Sequence, residues 1–195
     1  MTLQKISFLE RVGKMEILKA LAPYISMALS LGGLIAMILA STVKTKSMKV
    51  ILALVFAGNF LVATSYLIDG NNNGAACCYI GAAQALINYF FDKNNKSIPK
   101  WLVAIYAAVI VGINLAVLTE ILDLLAIIAS LTFILCIGQS NGSKYRFWTI
   151  VNMVLWITYD IIKGSYAALF THVSLFLFTV LGKLIHDRKR AKEDM

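Results

Sequence analysis

The chain contains seven long apolar stretches, and their length constrains the fold more than any other feature. They cover residues 20–40, 49–68, 74–91, 101–119, 121–138, 147–163 and 165–186, with short links between them. A hydrocarbon core about 30 Å thick needs roughly 20 apolar residues per helix. Lipid accepts only helices or closed barrels, and these stretches lack the alternation of barrel strands. With 59% hydrophobic residues and a mean hydropathy of +0.78, the sequence predicts an all-α membrane protein with seven transmembrane helices.

Basic residues are distributed unevenly between the two sides of such a bundle. Thirteen belong to one side: Lys44, Lys46, Lys49, Lys93, Lys96, Lys100, Lys144, Arg146, Lys183, Arg188, Lys189, Arg190 and Lys192. The opposite links hold four acidic residues and only Lys163 as a base. The N-terminal tail disagrees with this division, because it carries Lys5, Arg11, Lys14 and Lys19 on the predicted outer side. Cytoplasmic loops are enriched in Lys and Arg, which predicts a cytoplasmic C-terminus and an outer N-terminus. Because the net charge of +8 is accounted for in this way, a nucleic-acid partner is not expected.

Two segments outside the stretches are predicted to lie at the membrane surface. The N-terminal tail, residues 1–19, places several apolar residues at helical spacing and is predicted to form an interfacial helix. Residues 187–195 form a basic cytoplasmic tail.

A weak internal repeat relates the two halves of the chain. SYLIDGNNNGAA, which begins at Ser65, resembles TYDIIKGSYAA, which begins at Thr158. Each is an apolar stretch followed by a Gly turn and a start rich in small residues. Residues 20–91 and 120–186 are therefore predicted to be two three-helix repeats, joined by a loop and linker helix at 92–119. A single linker helix makes the copies parallel, which is a recurring plan among transporters. Asp160, Lys163 and Gly164 are predicted to form a solvated outer turn.

The chain resembles the YgjV-type family of bacterial inner-membrane proteins from about the first apolar stretch to its end. The resemblance is carried by GNFLVATSYLIDGNNNGAA from Gly58, by Arg146 with Trp156 ten residues later, and by GSYAALFTH from Gly164. That family is similar to the SWEET and PQ-loop carriers, whose seven helices follow a three-one-three order. The resemblance implies an inner-membrane location and a transporter-like fold.

Five polar or aromatic residues inside the stretches are candidate solute ligands. At 1.5 Å per residue, Trp156 and His172 are expected at one level, roughly 10–12 Å below the outer surface. The resemblance to SWEET-like carriers implies that a Trp on the sixth helix and a polar residue on the seventh flank the solute. Gln84 is predicted at a comparable depth, Asn59 near mid-membrane and Asn152 somewhat nearer the cytoplasm. The alternative for His172 is a packing histidine whose hydrogen bonds are satisfied. The alternative for the amides is simple helix–helix bonding, and for Trp156 a place in the interfacial aromatic belt.

The predicted function is transport of a small polar solute, sugar-like or vitamin-like, by alternating access. The sequence shows no nucleophile–base–orienter set and no phosphate loop, so an enzyme is not expected. Cys77, Cys78 and Cys136 lack the spacing of a zinc site and are predicted to be buried, inert thiols, so neither a metal nor a cofactor is expected. The expected partners are the lipid bilayer and the solute, with a homo-oligomer possible. The alternative is a non-transporting receptor or assembly partner on the same scaffold.

Overall fold

Seven α-helices make up the computed structural model of the protein. It describes residues 2–44, 48–70, 72–116, 121–164 and 166–193, and side chains within 20–44, 48–70, 75–116, 121–122, 124–162, 164 and 168–186. The helices are α1 Thr2–Thr42, α2 Met48–Ile68, α3 Asn72–Lys93, α4 Lys100–Ala116, α5 Asp123–Ile137, α6 Gly142–Lys163 and α7 Tyr166–Glu193. No strand occurs within the described ranges.

The surface of the bundle is the surface of a membrane protein. Many large apolar side chains lie on the surface, and some, such as Phe170 and Trp101, are more than half exposed. In water, so large an exposed apolar surface would be unfavourable. Ala20–Thr42, Met48–Ile68 and Ala168–His186 are long and apolar enough to cross a bilayer, and Lys100–Ala116 and Leu124–Ile137 are shorter apolar helices. The prediction of an all-α, seven-helix membrane protein is confirmed.

Two turns between helices each contain a glycine with a positive φ angle. Gly164 ends α6 in the left-handed conformation with φ 69°, and its N–H bonds to the carbonyls of Asp160 and Ile161. Gly70 follows α2 with φ 76°. Only glycine adopts such angles without strain, which explains why both turns contain it. The two glycines are 94 residues apart, the spacing on which the predicted repeat rests.

Six helices contact one another in a closed order, and α4 lies beside α5 and α3, where the Tyr106 hydroxyl donates to Asn88 Oδ1 at 3.2 Å. The order runs α1, α2, α3, α5, α6 and α7, and α7 returns to α1; α4 packs on α5. The α1–α7 contact is close, because a Cβ added to Gly182 would lie 2.5 Å from the carbonyl oxygen of Ser41. At the α3–α5 contact, the Asn88 amide donates to the carbonyl of Ile137 at 3.1 Å.

The apolar core lies at the predicted cytoplasmic end of the bundle. It gathers residues where α1 and α5 end and where α2 and α6 begin: Ala40, Met48, Ile51, Leu52, Val55, Ala85, Cys136, Ile137 and Tyr145. Arg146, predicted to lie in a link, is instead buried within α6, and its Nη1 donates to the Val43 carbonyl at 3.4 Å. A cation suits this position because the end of α1 is the negative end of the helix dipole.

Several sequence-based boundaries change or stay untested. α1 begins at Thr2, so the tail 1–19 continues the first long helix, and its side chains lie outside the described residues, as do those of 187–195. The division into two three-helix repeats and a linker stays a prediction. The prediction of three buried thiols is wrong for Cys77, which is exposed, and Cys78 is half-buried. In helices at a lipid boundary, an apolar context does not distinguish a core-facing thiol from a lipid-facing one.

Candidate functional site

Trp156 and His172 meet across the turn between α6 and α7. Their rings stack with centroids 5.5 Å apart and an interplanar angle of 19°. Both side chains are half-buried. The residues lie at equal distances along the chain from Gly164, whose left-handed turn sends α7 back along α6. The prediction that they reach one level is therefore confirmed, while their role as solute ligands stays a prediction.

Asp160 joins this pair as a buried partner of the histidine. One carboxylate oxygen, Oδ2, lies 2.6 Å from His172 Nδ1, and only 3% of the aspartate side chain is exposed, against 22% for the histidine. The prediction that Asp160 is a solvated loop charge is wrong, because α6 continues to Lys163 and carries Asp160 inside its last full turn. The spacing from Trp156 to Asp160 is four residues, which places both on one helix face. That spacing is the signal that sequence reasoning missed.

The hydrogen bond to Asp160 sets the chemistry of the imidazole. A carboxylate only accepts hydrogen bonds, so Nδ1 carries the proton that it donates to Asp160. In the neutral ring Nε2 is then an acceptor, and in the charged ring it becomes a donor. His172 therefore offers a solute one contact whose sense depends on its protonation state.

Further groups surround the pair at the same end of the bundle. Tyr159 packs edge-on against Trp156, with ring centroids 5.7 Å apart and a 90° angle between planes. The hydroxyl of Tyr66, on α2, lies within electrostatic range of both Asp160 and Asp69. Residues of α2, α6 and α7 thus contribute to one polar region.

The two predicted asparagines occupy matching places on α2 and α6. Asn59 and Asn152 are 93 residues apart, the same spacing as Tyr66 and Tyr159. Asn59 Nδ2 donates to the Val55 carbonyl of its own helix at 3.0 Å. Asn152 Nδ2 donates to α5, to the Ala129 carbonyl and, at 2.8 Å, to the Thr132 hydroxyl. Both amides are buried, and at least the donor of Asn152 serves helix packing.

Gln84 on α3 is buried without a partner. Its side chain is 2% exposed, and neither Oε1 nor Nε2 makes a hydrogen bond. An unsatisfied buried amide is costly, by about 1–3 kcal/mol, and most such groups in proteins are paired. One turn away, Gly81 faces Asn59 and Phe133, where an added Cβ would lie 3.3 Å from the asparagine oxygen. No hydrogen bond joins Gln84 to His172, so the structure does not bring those two predicted ligands into direct contact.

In the part of the chain that the structure describes, His, Cys, Asp and Glu side chains do not form a cluster that could hold a metal ion. What the region offers is hydrogen-bonding amides, an aromatic face and one ionisable pair. Such groups bind and orient a neutral polar molecule.

Comparison with known proteins places the chain in one family. The Imp-YgjV family model, described as bacterial inner membrane protein, matches residues 26–190. Neither a curated protein nor a solved structure matches the chain.

Proposed function

The chain belongs to the Imp-YgjV family of bacterial inner membrane proteins, and we propose that it carries a small polar solute across that membrane. The solute binds between two three-helix repeats and is released by alternating access. The proposed topology has the N-terminus outside and the C-terminus in the cytoplasm.

One observation carries the proposal: a buried acid–base pair lies under an aromatic ring among transmembrane helices. Asp160 is almost fully buried and bonded to His172, on which Trp156 stacks. An ionisable group costs about 2.5–3.5 kcal/mol at the centre of a membrane span on insertion scales, and ionisable groups inside spans mark substrate or ion pathways. If helix packing were the only requirement, an apolar pair of the same volume would meet it without that cost. The pair therefore favours a solute path over a purely structural bundle.

The solute class follows from the groups that would contact it. The Trp156 ring offers a flat apolar face, and the neutral His172 ring offers an acceptor at Nε2. Gln84 supports the same reading, because its buried amide has one acceptor and two donors unused. A solute with adjacent hydroxyl or amide groups and one apolar face satisfies all three. A sugar-like or vitamin-like molecule has this character.

Contacts between the proposed repeats support the alternating-access part of the proposal. Gly182 of α7 packs on the last turn of α1, and Asn88 of α3 bonds to the last residue of α5. Gly182 and Asn88 are 94 residues apart, so the two interfaces use matching positions. In transporters built from repeats, alternating access is largely a rocking of one repeat against the other, and two matching contacts at one end of the bundle are compatible with such a motion. The likeness to SWEET and PQ-loop carriers belongs to this proposal as well.

The experiment identifies small molecules that co-purify with the protein. The full-length chain is extracted in detergent, and bound molecules are released and identified by mass spectrometry. Wild type is compared with Trp156→Ala and with Trp101→Ala, a matched change at an exposed tryptophan of α4. We expect one polar solute at near-stoichiometric amount in wild type and Trp101→Ala, and a loss of at least tenfold in Trp156→Ala. Equal retention in both variants would remove Trp156 from the site, and a solute bound but never translocated would indicate a receptor.

A further inference from the structure

Three serines of α1 and α2 form one cluster with Asp69, apart from the Trp156–His172 stack. Ser26 Oγ lies 2.6 Å from Asp69 Oδ2 and 2.8 Å from Ser65 Oγ. Ser30 Oγ lies 2.7 Å from Ser65 Oγ, which itself lies 2.9 Å from the Ser26 carbonyl oxygen. Ser26 and Ser65 are buried, and Asp69 is exposed just beyond the end of α2. Hydroxyl, carbonyl and carboxylate oxygens thus meet at the predicted outer end of the two helices.

Ser26, Ser30 and Ser65 differ from other helical hydroxyls of this chain in their hydrogen-bond partners. Other helical hydroxyls bond back to a carbonyl of their own helix four residues earlier, which is the usual choice for Ser and Thr: Thr42, Thr64, Thr149, Thr158, Ser174 and Thr179. Ser26, Ser30 and Ser65 bond across the helix interface instead. Their side chains and the Asp69 carboxylate form a continuous chain of contacts in the order Ser30, Ser65, Ser26 and Asp69.

The cluster has more oxygen contacts than protons to fill them. The four contacts of 2.9 Å or less join hydroxyl, carbonyl and carboxylate oxygens. Each serine supplies one hydroxyl proton, and a carboxylate supplies none. Three protons therefore serve four contacts, so one contact has no proton of its own or shares the Ser65 proton with another. A positive charge among these oxygens would satisfy the lone pairs that the protons leave over.

The electrostatic potential at the end of α2 is negative, which favours a bound cation. The last turn of α2 contains no basic residue, and the C-terminal end of a helix carries partial negative charge. The Ser65 carbonyl belongs to this turn and already accepts the Asp69 N–H at 3.0 Å.

We propose that Ser26, Ser30, Ser65 and Asp69 bind a sodium ion between α1 and α2. Oxygen ligands suit a hard cation, and a single carboxylate balances a single positive charge. The oxygens are already close together, so the site expands less for sodium than for the larger potassium ion. Bound there, the ion would hold the outer ends of α1 and α2 together. This site does not depend on the solute path proposed above, and it exists or fails without it.

Thermal unfolding of the purified, detergent-solubilised full chain tests the site. Sodium chloride is titrated at constant ionic strength against choline chloride, and a second series uses potassium chloride. We expect Tm to rise with the logarithm of sodium concentration above Kd, and potassium to require at least tenfold more. Asp69→Asn and Ser30→Ala should abolish this rise. Thr158→Ala, which removes a hydroxyl at the corresponding end of α6, should retain it.

Three results would overturn the proposal. Tm could be the same in sodium and choline at every concentration, or Asp69→Asn could respond to sodium as wild type does. Tm could also rise only as pH falls, through Asp69 and without any response to sodium, which would assign a proton to the cluster. A saturable response to sodium would stand even if no solute were ever found, so this test and the test of transport fail separately.

Discussion

The imidazole of His172 lies against the indole of Trp156, with the two ring centroids 5.5 Å apart, and the residues are placed symmetrically about Gly164. Three structural features bring these two rings of the candidate solute site together. A left-handed glycine turns the chain, antiparallel helices bring two rings to one depth, and a buried carboxylate fixes the orientation of the imidazole. Each of these steps can be altered separately by mutation.

Transport should depend on the acceptor that His172 offers to the solute. The hydrogen bond from Nδ1 to Asp160 leaves Nε2 of the neutral ring as an acceptor, to which a solute hydroxyl can donate. His172→Gln keeps an acceptor and should retain partial activity, and His172→Leu should abolish transport without loss of folded protein. Trp101→Ala is the control, since Trp101 is an exposed residue of α4. Normal transport by His172→Leu would eliminate this site.

Asp160 should matter for stability as well as for transport. Asp160→Asn keeps an acceptor for Nδ1, so the protein should lose only about 1 kcal/mol of unfolding free energy. Asp160→Leu leaves the donor of His172 without its partner and should lose about 1–3 kcal/mol. For a chain of this size each kcal/mol lowers Tm by about 2–4 °C, which a thermal scan in detergent resolves. If Asp160→Leu unfolded at the wild-type temperature, the Asp160–His172 pair would not contribute to the stability of the fold.

Gly182 should tolerate no side chain at the contact between α7 and α1. A Cβ there would meet the Ser41 backbone oxygen at 2.5 Å, and backbone cannot rotate aside as a side chain can. We expect Gly182→Ala to lower the unfolding free energy by about 1–3 kcal/mol. Gly112→Ala on α4 is the control, because a Cβ at Gly112 meets nothing within 4 Å and alanine favours a helix by about 1 kcal/mol. The two variants should therefore move Tm in opposite directions.

The proposed topology predicts which loops reagents reach from outside the cell. After Cys77, Cys78 and Cys136 are replaced by serine, a cysteine at Asn94 should resist membrane-impermeant thiol reagents in intact cells. A cysteine at Asn72 should be labelled. Permeabilised cells serve as the control and should show labelling at both positions. Labelling at Asn94 in intact cells would reverse the orientation that the basic residues indicate.

The transmembrane helices and the turns between them could be predicted from the sequence. Stretches of about 20 apolar residues predict helices whatever packs against them, and the glycines at 70 and 164 predict the turns that follow α2 and α6. The meeting of Trp156 and His172 follows from counting residues on either side of such a turn.

The sequence does not predict in the same way which face of each helix is buried. Asp160 lies three residues before the end of α6, and only packing against α7 makes it buried rather than solvated. Arg146 differs from a loop cation because the end of α1 happens to meet it. The Ser26–Asp69 cluster spans a sequence separation of 43 residues and requires the crossing of α1 and α2. Apolar background hides such faces, because lipid-facing and core-facing residues have the same composition.

Solute counterflow in proteoliposomes tests the central claim of transport most directly. Vesicles containing the purified protein are loaded with the co-purified solute, diluted into a trace of the labelled solute, and sampled over time. The account predicts a transient, saturable accumulation of label with wild-type protein and with Trp101→Ala, and none with His172→Leu at equal reconstitution. Wild-type vesicles that take up label no faster than protein-free vesicles would contradict it.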